Sequence, residues 1–421
     1  MPFKQVVMVF ARCLLVVVLA VAAVESVCAA RVYLGIDALV ANDFSPIRGK
    51  RVGLITHAAA VDHRGVPTAE HFRRTRSVRL VAFFGPEHGI DGTAPAGQYV
   101  PTRTDPQSGL PVYSLYGPTR KPTREMLRDV DVLVFDMQDI GARSYTYIST
   151  MGLAMQAAAE NGVEFMVLDR PNPLGGLRVE GPPLDPDFRS FVGQFDIPYV
   201  HGLTIGELAF FLNETSWMAR HPLRLHVVKM HGWRRSMLWQ DTGLRWVPTS
   251  PNIPEARSAF DYVATGWLGE LGTVNNGIFT DDPFRVVGLR KLDAAAFIEA
   301  LRRIHDLSGI RLSPLDYRIT RGRFAGESYT GARLDYSDVE RARLTEFSPV
   351  VLMALREVTG RDFVSSAPAA KLEMFDKVTG GSTLRDVLTR SPESLKKLFA
   401  EWEREALKFS AARRRFLLYP E

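Results

Sequence analysis

The chain has 421 residues, with 52 Lys and Arg against 47 Asp and Glu, and a formal net charge of +5 at pH 7. Its two cysteines, Cys13 and Cys28, both fall within the first thirty residues, so the rest of the chain has no disulfide, thiol nucleophile or Cys-ligated metal. The basic residues are scattered and no aromatic side chains are interleaved among them, which argues against a nucleic-acid partner.

Residues 1–30 have the pattern of a secretory signal peptide. Lys4 and Arg12 precede an apolar stretch over residues 14–24, and two alanines end the segment. Because that stretch is short for a transmembrane span, we expect export to the periplasm or cell envelope and no stable membrane insertion after the signal is removed. Acylation of Cys28 and retention of an uncleaved signal anchor are the two alternatives.

Between residues 31 and about 211 the pattern alternates between buried strands and amphipathic helices, within a first domain predicted over residues 31–290. The segment 147–161 predicts a helix that ends at Asn161-Gly162. Such an alternation is typical of a doubly wound α/β layer with a mostly parallel sheet. Short apolar runs predict its strands at residues 51–56, 80–84, 132–135, 165–168 and 223–229.

The end of this first domain is rich in Trp and Pro, and the chain then changes character. From residue 291 to 421 the pattern predicts a smaller α+β domain, whose last helix begins at about Pro392. The tryptophans at positions 233, 239, 246 and 267 either form a sugar-stacking surface or fill the junction between the domains. The face of the last helix that we expect to be buried carries Leu395, Leu398, Phe399, Trp402 and Leu407.

Three of the predicted strands end in clusters of charged residues, Pro and Gly, at residues 85–89, 136–143 and 169–173. Because the carboxyl ends of parallel strands meet at one edge of a sheet, we expect these side chains to converge on one rim. Glu87, between Pro86 and His88, is a carboxyl partly removed from water at a strand end, which suits a general acid working near neutral pH. A capping or ion-paired role is the alternative for Glu87, and His88 is expected to be a hydrogen-bonding neighbour rather than a metal ligand.

The second cluster combines carboxylates, an amide, a guanidinium and a phenol. Arg143 can bind a carboxylate in a bidentate pair, while Asp136 and Gln138 can hold hydroxyl or amide groups. Part of the second cluster is expected to be structural, since an Asp at a strand end often caps the next helix. For the third cluster, the alternative is a turn that binds no ligand. The substrate-binding candidates of this rim are His88, Asp136, Gln138, Arg143, Tyr145, Asp169, Arg170, Asn172 and His201.

Motifs for metal and cofactor chemistry are missing from the sequence. It has no His-Glu-x-x-His motif, no phosphate-binding loop and no dinucleotide glycine fingerprint after a strand. Gly-x-Ser-x-Gly is absent too, so serine-hydrolase chemistry loses its usual support. We therefore predict neither a metal nor a cofactor.

Ordered motifs run along the chain at residues 53–56, 84–89, 104–105, 109–117, 135–143, 145–147, 168–173, 180–182, 201–209 and 250–252. Together they resemble the exo-β-N-acetylmuramidases of the NamZ type over nearly the whole chain after residue 30. The resemblance implies a Rossmann-like domain followed by a smaller α+β domain, with the active site in the cleft between them. It also implies hydrolysis of terminal N-acetylmuramic acid from the non-reducing ends of peptide-free peptidoglycan, with Glu87 as the catalytic carboxyl. Glu180 and Asn252 lie in two of these motifs and are further substrate-binding candidates.

One segment departs from the family pattern. The family usually shows a Glu-Gly-Arg-Gly-Thr run before Pro-Phe, whereas here residues 270–280 lack it. Aligned without a gap, the first motif Glu is kept as Glu270, while Asn276 and Ile278 stand at the positions of the second Glu and the Arg. We therefore expect weaker or altered recognition of the lactyl carboxylate of muramic acid.

The expected reaction is glycoside hydrolysis, in which Glu87 protonates the glycosidic oxygen and a second acid either attacks the anomeric carbon or activates water. Asp139, Glu180 and Glu270 are the candidates for the second acid, and attack by the 2-acetamido group of the substrate is a third route. A non-catalytic envelope protein that binds muropeptide or another sugar in the same cleft is the alternative function. An ester or amide hydrolase has only His201 and nearby acids in its support.

Overall fold

The structure, a computed structural model, describes residues 32–215, 223–322 and 324–421. The predicted signal peptide, residues 1–30, lies outside these ranges. Within them, no helix combines the length and the apolar character that crossing a membrane requires.

A seven-stranded sheet forms the centre of the first part of the chain, as predicted. Its spatial order is β3-β4-β2-β1-β5-β6-β7, and every neighbouring pair is parallel except β3 with β4. All residues of the central strand β5 are buried, which explains why its sequence shows no polar alternation. The strands are β1 (Arg51–Thr56), β2 (Arg79–Gly85), β3 (Arg103–Thr104), β4 (Pro111–Ser114), β5 (Val132–Asp136), β6 (Glu164–Leu168) and β7 (Leu225–Val228).

Five helices accompany this sheet: α1 (Gly35–Ala41), α2 (Thr68–Arg74), α3 (Arg124–Leu127), α4 (Tyr147–Asn161) and α5 (Ile205–Glu214). The α4 helix has the predicted bounds and ends at Gly162, whose φ of +67° is the left-handed conformation that glycine adopts without strain. The α5 helix begins with a reciprocal capping box, in which Thr204 and Glu207 each accept the backbone N–H of the other. Residues within or next to each helix therefore determine the end of α4 and the start of α5.

The strand order reverses beside β1. The second strand lies on one side of β1 and the fifth on the other, so the loops after β1 and β5 leave the sheet in opposite directions. In open α/β sheets, ligands bind in the crevice that this reversal opens at the carboxyl ends of the strands. His57 follows β1 directly, and Asp136 ends β5, so both lie at this crevice.

The rest of the chain forms a smaller α+β unit around a three-stranded antiparallel sheet in the order β8-β10-β9. Because β8 and the helix before it pack within this unit, its structure begins before the expected boundary at residue 290. The strands are β8 (Val286–Leu289), β9 (Ile310–Arg318) and β10 (Ser328–Tyr336). The helices are α6 (Ser258–Leu271), α7 (Ala294–Ile304), α8 (Leu344–Thr359), α9 (Ala369–Thr379), α10 (Thr383–Arg390) and α11 (Leu395–Ala412).

The last long helix differs from its prediction in two details. It begins at Leu395, because residues 392–394 form a short 3₁₀ turn before it. Leu407, expected on the buried face, is 67% exposed. Helical spacing from Trp402 brings Ala406 onto the buried face instead, and Leu407 lies one residue further around the helix.

One hydrophobic core extends through both units. Trp267 of α6 is fully buried, and its ring meets Tyr199 of the first unit edge-on at a centroid distance of 4.8 Å. The same ring packs against Trp402 of α11 at 6.0 Å. This packing supports the junction interpretation for Trp267, and Trp233 and Trp239 are buried as well.

Candidate active site

Glu87 lies in the turn after β2, and two other segments hold its carboxylate. Oε1 accepts the backbone N–H of Gly97 at 2.8 Å, and Oε2 accepts the hydroxyl of Thr146 at 2.7 Å. Burial, and then the nearby charge of Glu87, raise the pKa of the Tyr116 phenol to about 12. Glu87 is therefore fixed in one orientation at the carboxyl end of the sheet, as a group that transfers a proton must be.

His88 adopts an unusual backbone conformation beside Glu87. Its φ is +70°, a left-handed value that costs a non-glycine residue conformational energy. The Nδ1 atom of its ring bonds the carbonyl oxygen of Ala94 at 2.6 Å, which ties the turn to the loop that follows it. Because Nδ1 is engaged in this way, Nε2 is the ring nitrogen through which His88 can meet a ligand.

Asp139, in the loop after β5, is a buried carboxylate with one oxygen committed and one without a partner. Its Oδ2 accepts the backbone N–H of Gly141 at 2.6 Å, whereas Oδ1 has no hydrogen-bond partner. Burial raises the pKa of Asp139 to about 7, although backbone donors from Ile140 and Gly141 lower it in part. A buried acid with such a pKa and an open oxygen is typical of a catalytic group.

The phenol of Tyr147 lies close to both acids. Burial, then Tyr145, and then the carboxylates of Glu87 and Asp139 raise the pKa of Tyr147 well above its usual value. Its hydroxyl donates to the carbonyl oxygen of Thr249 at 2.6 Å. Contacts also link the two acids. Thr146, next to Tyr147, donates to Glu87, while the Tyr147 ring packs against His57, which accepts the N–H of Gln138 beside Asp139.

The other two candidates for the second acid have different surroundings. Glu180 is ion-paired with Arg178 at 3.0 Å and lines a cavity between the loop 174–181 and α11. Glu270 is half-buried on α6, where burial raises its pKa and Lys371 lowers it. Of the three predicted candidates, Asp139 is the one whose position relates it to Glu87 through a shared neighbour.

His57 belongs to this site, although sequence reasoning did not select it. Its Nε2 accepts the backbone N–H of Gln138 at 3.0 Å, so the neutral ring must carry its proton on Nδ1, which has no partner. Burial, with Arg170 and His88 nearby, lowers the pKa of His57 to about 3. Its ring packs edge-on against Tyr147 at 4.9 Å. The available signal was its place directly after the first central strand.

Asp136 and Arg170 bind each other rather than standing ready for a ligand. Arg170 donates from Nε to Oδ1 at 2.5 Å and from Nη2 to Oδ2 at 2.9 Å, and both residues are buried. The hydroxyl of Thr68 donates to the same carboxylate. The predicted substrate contacts of these two residues are therefore replaced by a bidentate ion pair that joins the ends of β5 and β6.

Arg143 has a structural environment where a substrate contact was predicted. It is fully buried, and its Nη1 donates to the carbonyl oxygens of Pro182 at 2.7 Å and Ile197 at 2.8 Å. Its Nη2 donates to the carbonyl oxygen of Thr379 at 3.0 Å. The guanidinium thus connects the first unit to α9 of the second, and burial lowers its pKa to about 10.

Asp169, Asn172 and His201 are also engaged by the protein itself. Asp169 accepts four donors: the backbone N–H groups of residues 170 and 206 and the hydroxyls of Thr204 and Tyr419, the last at 2.6 Å. Asn172 donates to the carbonyl oxygen of residue 203 and accepts the N–H of residue 174. The buried His201 ring accepts the N–H of residue 203, and burial together with Arg413 lowers its pKa to about 3. The hydrogen bonds of these three residues therefore stabilise the loops at this edge of the sheet.

The remaining predicted residues lie around Tyr147. Gln138 donates to the carbonyl oxygens of Asp139 and Pro171 and keeps a buried, unpartnered Oε1. Tyr145 donates its phenol to the hydroxyl of Thr249 at 2.9 Å, and the half-buried Asn252 follows three residues later.

The altered segment after α6 points into the protein. The Asn276 side chain is buried and donates from Nδ2 to the carbonyl oxygen of Thr265 at 3.1 Å. Ile278 packs against the main hydrophobic core. At these two positions the chain therefore offers the crevice neither an acid nor a cation.

One group in the described part of the chain has the composition of a metal site. Possible ligand atoms of Asp37, Asp62 and His63 lie within 4.8 Å of one another. The carboxylates are already engaged, since Asp37 accepts the N–H of Leu34 and Asp62 accepts the N–H groups of residues 64 and 66. These bonds shape the local loops, and we assign no metal to the group.

Comparisons with known proteins agree with this architecture. Residues 52–257 match the family model of the exo-β-N-acetylmuramidase NamZ N-terminal domain, and residues 260–419 match that of its C-terminal domain. The chain is 38% identical over 389 residues to the peptidoglycan β-N-acetylmuramidase NamZ of Bacillus subtilis, which covers 92% of each chain.

Two crystal structures from Bacteroides fragilis, both of proteins described as DUF1343 family members, have the same fold. The first is 41% identical, with a TM-score of 0.87, and the match covers 93% of this chain and 99% of that one. The second is similar in fold, with 24% identity and a TM-score of 0.73, and the match again covers 93% of this chain and 99% of that one. With both family models matched in order along nearly the whole described chain, the protein belongs to the NamZ exo-β-N-acetylmuramidase family.

Proposed function

We propose that the chain is an exo-acting glycosidase that releases terminal N-acetylmuramic acid from the non-reducing ends of peptidoglycan glycan. The observation that carries this proposal is the pair of carboxyls, Glu87 and Asp139, which Thr146, Tyr147 and His57 link at the reversal point of the sheet. The relative from Bacillus subtilis is named for hydrolysis of the same class of sugar.

In the proposed reaction, Glu87 donates its proton to the glycosidic oxygen as the bond to the anomeric carbon breaks. Gly97 and Thr146 hold the carboxyl in place during this transfer. The open Oδ1 of Asp139 then either accepts a proton from the attacking water or bonds to the anomeric carbon. A pKa of about 7 suits Asp139 to proton acceptance, because its anionic form is present at neutral pH and remains basic enough to take up a proton.

Export to the periplasm or cell envelope is part of the same proposal. It is supported by the pattern of residues 1–30, which has the basic start, short apolar stretch and small final residues of a signal peptide. The wall polymer that such an enzyme would act on lies outside the cytoplasmic membrane. Cleavage can be checked by N-terminal sequencing of the protein recovered from the envelope fraction.

The function is tested with purified, peptide-free peptidoglycan glycan whose non-reducing ends carry N-acetylmuramic acid. We expect the native protein to release free N-acetylmuramic acid, detected by mass spectrometry, and the Glu87→Gln variant to release none above background. Internal cleavage into longer fragments would contradict an exo-acting reaction. Saturable binding of the glycan by both proteins, without release of sugar by either, would favour the non-catalytic alternative.

A further inference from the structure

An exposed guanidinium lies on the loop beside the turn that carries Glu87. Arg120, in the loop after β4, is exposed, and its Cζ lies 4.5 Å from the ring centroid of Phe191 and 5.7 Å from that of Tyr116. Leu115, just before Tyr116, donates its backbone N–H to the carbonyl oxygen of Gly85, two residues before Glu87, at 2.8 Å. The loop that carries Tyr116 and Arg120 therefore leaves the sheet next to the turn of Glu87.

Three loops build the surface around Arg120. Tyr116 and Phe191 come from separate loops, and their rings lie 5.9 Å apart at an interplanar angle of 48°. Tyr99, on the loop that follows Glu87, is 52% exposed and rests its ring on Gly117. Stacking on aromatic faces restrains a guanidinium while its N–H donors stay available, so Arg120 is preorganised to bind an anion.

Electrostatics identify the kind of ligand that this surface suits. The site contains Asp139, whose anionic form repels an anionic substrate unless a cation compensates. The arginines expected to do so are committed elsewhere, Arg143 to backbone carbonyls and Arg170 to Asp136. Arg120 packs against aromatic rings instead of a carboxylate, so its donors remain for a ligand.

We propose that Arg120, seated on Tyr116 and Phe191, binds the lactyl carboxylate of N-acetylmuramic acid and so selects this sugar. This inference rests on the proposed function. Carboxylate recognition would then depend on the loop after β4, and not on the altered segment 270–280. The carboxylate belongs either to the terminal sugar or to the N-acetylmuramic acid two units further along the glycan.

The test uses 4-nitrophenyl β-N-acetylmuraminide and the same compound with its lactyl group converted to a primary amide. For the acid, Arg120→Gln should raise KM by about 10- to 100-fold with little change in kcat, the range expected when a bidentate, charge-assisted pair is lost. For the amide, Arg120→Gln and the native protein should have the same KM. For the acid, the KM of Arg120→Lys should lie between those of the native protein and Arg120→Gln, because lysine keeps the charge and loses the planar fork.

Arg128→Gln is the matched control. Arg128 is an exposed arginine close in sequence to Arg120, and its substitution removes the same charge from the same part of the chain. It should leave KM for the acid within about twofold, as expected for exposed charges screened by salt. An equal rise in KM for acid and amide in Arg120→Gln, or no rise for any carboxylate-bearing substrate, would overturn the proposal. A rise found with a glycan trisaccharide and not with the nitrophenyl sugar supports it and assigns the carboxylate to the third sugar.

A separate measurement keeps this proposal independent of turnover. Isothermal titration of free N-acetylmuramic acid and of N-acetylglucosamine, which lacks the lactyl group, reports recognition directly. When the carboxylate is that of the terminal sugar, Arg120→Gln should remove the preference of the native protein for the first sugar. If the native protein binds and prefers N-acetylmuramic acid but hydrolyses no glycoside, the proposed function fails while the role of Arg120 stands.

Discussion

The hydroxyl of Thr146 donates a 2.7 Å hydrogen bond to Oε2 of Glu87, which joins the turn after β2 to the start of α4. The orientation of the Glu87 carboxyl therefore depends on a neighbouring element. Replacement of Glu87 by Gln keeps the size of the side chain and removes the acid. We expect turnover of a muramide to fall at least about a hundredfold, the usual scale for general acid catalysis.

The control for that loss is the melting temperature, which Glu87→Gln should leave within a few degrees. Thr146→Val tests the positioning bond itself, and it should lower kcat while shifting the pH profile of kcat/KM. Turnover by Glu87→Gln close to that of the native protein would show that another group supplies the proton.

Removal of the second carboxyl should be rescued by an external nucleophile. Asp139→Ala is expected to lose about 10²- to 10⁴-fold in kcat, and added azide should restore activity by forming an α-glycosyl azide. NMR of the first sugar released by the native protein then separates the roles, since an α-anomer indicates that Asp139 is a base, while a β-anomer indicates a nucleophile, either Asp139 or the 2-acetamido group. Glu180→Gln and Glu270→Gln should lose far less of their kcat. A larger loss of kcat in either variant would identify that residue as the second acid.

The pKa of Asp139 also makes the stability of the fold depend on pH. Burial raises this pKa from its usual 3.8 to about 7, so between these values the folded protein holds a proton that the unfolded chain releases. Stability from this group is full below pH 3.8 and is lost as the pH rises through about 7. Urea denaturation from pH 4 to 8 should show the free energy of unfolding of Asp139→Asn improving relative to the native protein. A difference that stays constant with pH would refute this linkage.

His57 should stay neutral throughout the working range of the enzyme. Its Nε2 accepts the N–H of Gln138, and burial lowers its pKa to about 3, so the ring carries one proton, on Nδ1. In ¹⁵N NMR of protein labelled at histidine, we expect the Nδ1-protonated tautomer without titration between pH 5 and 8. His226, which is exposed, provides a comparison in the same spectrum. A ring that titrates near pH 6.5 at position 57 would rule out this arrangement.

Loss of the Arg143 guanidinium should affect stability more than substrate affinity. Arg143→Lys keeps the charge but cannot reach the carbonyl oxygens of Pro182, Ile197 and Thr379 together. We expect the free energy of unfolding to fall by about 2–5 kcal/mol, since buried acceptors lose their donors. Chemical denaturation measures this loss, and KM for a muramide should change less than threefold. An unchanged stability with a large rise in KM would restore the substrate-binding role.

Sequence patterns predicted the parts of this fold that short segments encode. The end of α4 at Gly162 depends on residues within one turn, so it was predicted correctly, and the capping box of α5 is equally local. The boundary between the units was harder, because β8 belongs to a sheet whose other strands come after residue 309. Pairing over long separations leaves no local signal.

The same limit applies to the site. Glu87 and Asp139 could be selected from their strand-end positions, whereas the pairing of Asp136 with Arg170 joins side chains 34 residues apart in sequence. Arg143 looked like a ligand residue because nothing local shows that carbonyl groups from residues 182, 197 and 379 surround it. His57 and Arg120 were missed for the opposite reason, since a lone His or Arg carries little information until its neighbours are known.

The phenol of Tyr419 donates to Asp169 across 250 positions of sequence, and the guanidinium of Arg413 reaches the carbonyl oxygen of His201. During synthesis, the seven strands of the first sheet emerge long before these two donors do. Until residues 413–419 arrive, the first sheet lacks polar partners that its buried rim requires. Folding of this edge of the sheet is therefore completed late, because a fragment limited to residues 32–290 lacks the donors that Arg413 and Tyr419 supply.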